Sequence, residues 1–147
     1  LFKCMIEELC NAHAPSAAML ACKELSPKEA LLEIGRGFME TISSRTGLGV
    51  HRLVMAEGVR YPRVAELFFQ SGPQKMHDLL VQYLERQVEN NMLAIDNVDR
   101  AAGHFFAMIK SWYQLRMTMK LKPLPSKKEL EQHVLDTVHA FCRAYSR

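Results

Sequence analysis

The stretch VDRAAGHFFAMIKSWYQLRMTM, residues 98–119, decides how the chain is read. Val98, Ala101, Phe105, Met108, Trp112, Leu115 and Met119 recur at helical spacing and make one apolar face. Ala102, Phe106, Tyr113 and Met117 carry that face round a further side. The arc spans about 200°, against about 100° for a helix that packs on one side only. A helix of this kind is buried on two fronts. One front is the chain's own core; the other fits a partner.

Working outward, almost every segment reads as helix, and no stretch keeps the period-two alternation of a strand. Leu1 to His13 forms a first helix, which Pro15 ends or kinks, and Ser16 to Leu25 continues as a second piece. Ser26-Pro27-Lys28-Glu29 is a start signal, with Ser26 as cap, Pro27 in the first helical position and Glu29 completing a capping box. Leu31, Ile34, Phe38 and Ile42 share a face, Gly35 and Gly37 mark close packing or a kink, and Thr46-Gly47-Leu48-Gly49 reads as a stop. Val50 to Ala56 suits a short buried helix. Pro62 precedes another, over 63–70, and Ser71-Gly72-Pro73 opens the next. That helix carries Met76, Leu80, Tyr83 and Leu84, with Gln87 and Asn91 unexpectedly on the same face. Asp96 reads as the cap of the decisive helix. Lys122 to Pro125 is a linker, Ser126 and Glu129 make a second capping box, and Leu130, Val134, Val138, Phe141 and Tyr145 face inward from the last helix. The expected fold is an all-α bundle of about seven helices in one domain, residues 1–147.

The totals exclude several classes. At 147 residues the chain can bury a core without disulfides or metals. Its formal net charge of +3 is too small to argue for nucleic acid by itself. Cys4, Cys10, Cys22 and Cys142 form no CxxC pair, so a reduced, cytoplasmic setting is the default, with a redox or metal role as the alternative. No apolar run is long enough to span a bilayer. The histidines at 13, 51, 77, 104, 133 and 139 lack metal-binding spacing. No phosphate loop or nucleophile motif occurs, so no catalytic residue, cofactor or metal is expected. Nine methionines, with Phe38, Tyr83, Phe105 and Trp112, suit either core filling or an adaptable apolar cavity. A polar residue such as Gln87 on an apolar face needs a side chain, a water or a ligand as its partner.

Two stretches together resemble a known family. AEGVRYPRVAELFFQSGP, residues 56–73, resembles the C-terminal domains of TetR/AcrR-type transcriptional regulators, the AefR-like branch in particular. The matching positions are Ala56, Glu57, Arg60, Tyr61, Pro62, Phe68, Gly72 and Pro73. AAGHFFAMIKSW, residues 101–112, looks like that family's first dimerisation helix. Leu1 and Phe2 are similar to the junction that follows a helix-turn-helix head, which implies that a DNA-binding domain precedes this one.

The resemblance implies a homodimer paired through residues 97–119 and 127–145. It also implies a small, mostly apolar or aromatic effector held among the central helices, and contact with operator DNA only through the N-terminal domain. Helix faces then give expected ligand contacts at Phe38, Met55, Tyr83, Gln87, Phe105, Met108 and Trp112. They give expected dimer contacts at Phe106, Tyr113, Met117, Leu135 and Cys142. The competing readings are a stand-alone helical adaptor, whose centre would be filled with side chains, and a di-iron or haem enzyme. Pro15, Gly35 and Gly37 depart from the family's pattern.

Overall fold

The computed structural model describes residues 1–13 and 25–146; the break expected at Pro15 and the helical piece expected from Ser16 lie outside them. The described residues form seven helices: α1 (Phe2–His13), α2 (Pro27–Ser43), α3 (Arg45–Glu57), α4 (Pro62–Ser71), α5 (Pro73–Glu89), α6 (Val98–Thr118) and α7 (Lys127–Tyr145). A lone antiparallel bridge between Leu93 and Ser146 ties the α5–α6 connection to the end of α7.

The helix starts follow local chemistry. The Ser26 hydroxyl accepts from the Glu29 amide at 3.3 Å, and the Ser26 amide donates to the Glu29 carboxylate at 2.8 Å, so the capping box of α2 is complete. Ser126 accepts from the Glu129 amide at 3.1 Å and caps α7. Pro62 and Pro73 take the first positions of α4 and α5, where no amide proton is needed.

Two expected boundaries shift. Residues 46–49 do not stop a helix; they lie inside α3. The break falls earlier, at Ser44, whose amide bonds to the Glu40 carbonyl and ends α2 while its hydroxyl accepts from the Gly47 amide at 3.0 Å and starts α3. Gly47 is there for space: a Cβ on it would lie 1.9 Å from the Thr41 carbonyl oxygen. Asp96 is not the cap of α6. Asn97 is: its backbone is extended and its side-chain oxygen accepts from the Arg100 amide at 2.8 Å.

The C-termini of α5 and α6 end alike, without glycine. The Asn91 amide donates to the Val88 carbonyl and the Met92 amide to that of Gln87, with Asn91 at φ 59°. The Lys120 amide donates to the Met117 carbonyl and the Leu121 amide to that of Arg116, with Lys120 at φ 54°. Both are Schellman motifs. Asn91 therefore terminates α5 instead of standing on its apolar face.

Two cores form. The larger is built on α6, where Ala101, Ala102, Phe105 and Ile109 are buried against Leu31 and Ile34 of α2, Leu80 and Leu84 of α5, and Val134, Val138 and Phe141 of α7. The smaller gathers Ile6 of α1 with Val50 and Val54 of α3, and Phe68 of α4 packs on it. Gly35 lets α2 approach α6 and α7 closely, since a Cβ there would meet Val134 Cγ1 at 3.1 Å and Ile109 Cδ1 at 3.3 Å.

The two glycines of α3 separate space from propensity. Both sit in a helix, where alanine is favoured by about 0.5–1 kcal/mol. Gly49→Ala meets nothing within 4 Å and should raise stability by about that amount. Gly47→Ala must push against backbone and should lower it by about 2 kcal/mol. Chemical denaturation of the two variants checks both signs.

Candidate functional site

Between the two cores the helices do not close. A cavity of about 530 Å³ remains, walled by α2, α3, α4, α5 and α6. Its sides are apolar: Phe38 and Ile42 from α2, Met55 from α3, Phe68 and Phe69 from α4, and Phe106 from α6. Phe38 and Phe106 meet with ring centroids 4.7 Å apart, tilted by 60°. A void of about 60 Å³ adjoins it, sharing Phe38, Phe68 and Met76, and reaches Ile6 and Cys10 of α1.

Polar groups stand toward the two ends. Asp99, Gly103, Phe106, Lys110 and Gln114 of α6 all line the cavity, a run that covers about 20 Å of helix. Near the first end the His77 ring nitrogen Nε2 lies 2.8 Å from Asp99 Oδ1. Toward the second stand Lys110, Gln114 and His51. His51 Nδ1 is 2.9 Å from the Thr118 hydroxyl, and that hydroxyl donates to the Gln114 carbonyl at 2.7 Å. Arg52 stands beside them, donating from Nε to the Thr118 carbonyl at 2.7 Å and from Nη2 to the Met117 carbonyl at 2.9 Å. Burial, then the positive charges of Lys110 and Arg52, hold the His51 imidazole below its ordinary range.

The expected ligand contacts separate into three groups. Phe38 and Met55 line the cavity. Phe105 and Tyr83 are packed into the larger core, at 0% and 2% exposure. The Tyr83 hydroxyl has no hydrogen-bond partner among the described residues, and burial, with the Cys142 thiol nearby, pushes it up to about 12. Gln87 lies two residues from the end of α5, where its carbonyl closes the Schellman motif. Met108 and Trp112 point away from the cavity and are exposed, Trp112 at 72%.

The expected dimer contacts also separate. Phe106 lines the cavity, and Met117 is buried in the larger core. Tyr113 packs on His133 of α7 at 4.7 Å between ring centroids. Leu135 and Cys142 are half-buried on α7. The cause is the phase of α6. Its buried face is centred on Ala102, Phe105 and Ile109, roughly an eighth of a turn from the line through Phe105 and Trp112 that the apolar spacing suggested. Ser111, at φ 42° and ψ −147°, interrupts the helix and breaks the register between those two aromatics.

Residues the sequence did not single out are the polar ones: His51, Lys110 and Gln114. For Lys110 a signal was available in spacing, since 103, 106 and 110 follow one helical stripe ahead of Ser111; His51, on α3, had none. Two other depressions differ in character. One of about 630 Å³ is lined by Arg45, Arg52, Lys120, Lys122 and Lys127, a basic groove without an aromatic wall. Another, of about 300 Å³, lies on the outer side of α6 and α7 around Met108, Ala140 and Ala144. No group of three or more His, Cys, Asp or Glu able to hold a metal occurs among the described residues.

The lowered His51 titration makes stability depend on pH in a defined direction. A histidine whose folded pKa lies below its unfolded value of about 6.5 binds more protons when unfolded, so its contribution is present above that pH and is lost as pH falls toward the folded value. Denaturation midpoints of the native chain and of His51→Gln should therefore differ in pH slope between pH 7.5 and 5. The native chain is expected to lose more stability on acidification. Equal slopes would contradict it.

The family described as AefR-like transcriptional repressor, C-terminal domain, matches residues 29–147. Among curated proteins no match is found. Solved structures with the same fold include a TetR-family transcriptional regulator from Mesorhizobium loti, 18% identical with a TM-score of 0.78, covering 99% of this chain and 68% of that one. A TetR-family regulator from Pseudomonas syringae pv. tomato is 18% identical with a TM-score of 0.72, covering 99% and 72%. The Flavonoid-responsive Regulator FrrA is 25% identical with a TM-score of 0.78, covering 99% and 73%. With the family match running along α2 to the end of α7, the chain belongs to the AefR-like C-terminal domains of the TetR-family transcriptional regulators.

Proposed function

We propose that this domain binds a small, mostly apolar or aromatic effector, dimerises, and thereby controls the operator affinity of a repressor. The observation that carries the reading is the aromatic-walled cavity of about 530 Å³, within the 300–1,000 Å³ of small-molecule sites. A filled centre, which the adaptor reading needs, is not what these helices make. A structural neighbour that is flavonoid-responsive adds weight to a flat aromatic ligand. Phe38 and Met55, expected from helix faces, line this cavity together with Phe68 and Phe106, and these four are the proposed ligand contacts.

The homodimer is supported by the outer side of α6. Met108, Trp112 and Leu115 are exposed there at 36%, 72% and 50%, and Ala140 and Ala144 of α7 continue the surface. Large apolar side chains left exposed on this side fit a second copy. Operator DNA would be read by a helix-turn-helix domain N-terminal to Leu1, in the cytoplasm. No described helix is long and apolar enough to cross a membrane. The route from ligand to DNA would start at α1. Its Ile6 and Cys10 border the small void beside the cavity, so a ligand that favours one placement of α1 shifts the spacing of the heads.

Gly103 gives a clean test, because it lines the cavity and a Cβ there finds only His77 Cε1, at 4.0 Å. Gly103→Leu should fill the mouth without disturbing either core. Titration of a panel of flat aromatic compounds, flavonoids among them, is expected to show micromolar binding to the native chain and at least about tenfold weaker binding to the variant. The variant's melting temperature should be unchanged or higher, since leucine is a better helix former than glycine. Undiminished binding in a folded Gly103→Leu would place the ligand elsewhere.

A further inference from the structure

The polar end of the cavity has a proton arrangement that selects among ligands. The Thr118 hydroxyl owns one hydrogen. The Gln114 carbonyl can only accept, so at 2.7 Å that hydrogen is committed to it. Toward His51 the Thr118 oxygen can therefore only accept, and Nδ1, at 2.9 Å, must be the protonated nitrogen. In the neutral ring Nε2 is then a bare acceptor. It makes no hydrogen bond among the described residues, and the ring lines the cavity. Lys110 lines the same end and forms no ion pair among the described residues. The neighbouring Arg52 is held against the end of α6 by Nε and Nη2, which donate to the carbonyls of Thr118 and Met117. The site thus offers one acceptor and one cation along the same wall, with the charge of Lys110 felt at the His51 ring.

That pair fits a neutral polar group that can both donate and accept. A carboxylate would satisfy Lys110 but has no proton for Nε2, and would set its lone pairs against that of the imidazole. An ammonium could donate to Nε2 but would face the charge of Lys110. A neutral hydroxyl does both, donating through its hydrogen and accepting on its oxygen. The walls beside it, Phe38, Phe106 and Met55, suit a flat ring. We propose that this end of the cavity recognises a phenol, whose hydroxyl donates to His51 Nε2 while its oxygen accepts from the Lys110 ammonium. Thr118 is a positioning residue, fixing the His51 tautomer from the end of α6. The inference rests on the effector-cavity reading and names the chemical class of that effector.

The test uses three matched probes at pH 7.5: 2-naphthol, 2-methoxynaphthalene and 2-naphthoate, titrated calorimetrically into the chain. 2-Naphthol should bind about tenfold more tightly than its methyl ether, which has no proton to give, and 2-naphthoate should gain nothing over the ether. In His51→Phe the naphthol-to-ether ratio should fall to about one. In Thr118→Val it should shrink while the ether's own affinity stays the same, an effect a merely structural role would not produce. Thr118→Val also carries the test if His51→Phe does not fold. Equal binding of naphthol and ether to the native chain would overturn the phenol site and leave the cavity reading intact. Tightest binding of naphthoate, lost in Lys110→Met, would make the site an anion site instead. Failure of all three probes to bind would overturn the cavity reading and this inference with it.

Discussion

The whole structure depends on α6 having three faces instead of two. Ala101, Ala102, Phe105 and Ile109 are locked into the larger core. Gly103, Phe106, Lys110 and Gln114 form one wall of the cavity. Met108, Trp112 and Leu115 are left outward. A helix buried on one stripe tolerates adjustment on its free side. One committed on three sides cannot turn or slide without altering all of them, because packed interiors respond as a unit. The cavity wall and the outer face are therefore two sides of one helix. The aromatic contacts trace the continuity: Phe38 on Phe106, Phe106 on Phe105, Phe105 on Phe141, with centroid distances of 4.7, 5.6 and 5.3 Å.

The same helix is broken in its middle and tied down at its end. Ser111 takes a backbone conformation that costs on the order of 1–3 kcal/mol for a residue with a side chain. His133 of α7 compensates by donating from Nε2 to the carbonyls of Met108 and Ile109, at 2.9 and 3.0 Å, just ahead of the break. Both partners are carbonyls, so Nε2 must carry the proton. The last turn of α6 is held by Arg52 and by the Schellman motif at Lys120. The residues that line the polar end of the cavity, Lys110 and Gln114, flank the break on either side. Strain is thus stored where cavity and outer face meet, and α3 and α7 supply the groups that contain it.

Much of the fold was legible from local signals. The box at Ser26 and Glu29, the caps at Ser126, and Pro62 and Pro73 at helix starts rest on chemistry within three residues, and sequence displays it directly. The glycines of α3 were misleading because Gly47 answers a backbone oxygen of Thr41, a tertiary demand that looks like a turn signal in one dimension. The AefR-like resemblance was carried by residues 56–73, which enter and form α4, together with residues 101–112 of α6, and the family match runs over 29–147. Site assignments were weaker for a geometric reason. A wide apolar arc says that several faces are buried, but not which one meets which neighbour. The interruption at Ser111 then displaces the second half from the phase of the first. So Phe106, expected outward, lines the cavity, while Trp112, expected inward, is exposed.

Trp112 is the single tryptophan of the chain, and it stands on the outer face of α6 at 72% exposure in the protomer. Its fluorescence, recorded with the mass in solution from nanomolar to tens of micromolar protein, tests the three-faced account most directly. The account predicts a dimer at the upper end with blue-shifted, buried emission, moving to the red as dilution yields monomers. Red, water-exposed emission and a monomer mass across the whole range would contradict it, because the third face of α6 would then have nothing to meet.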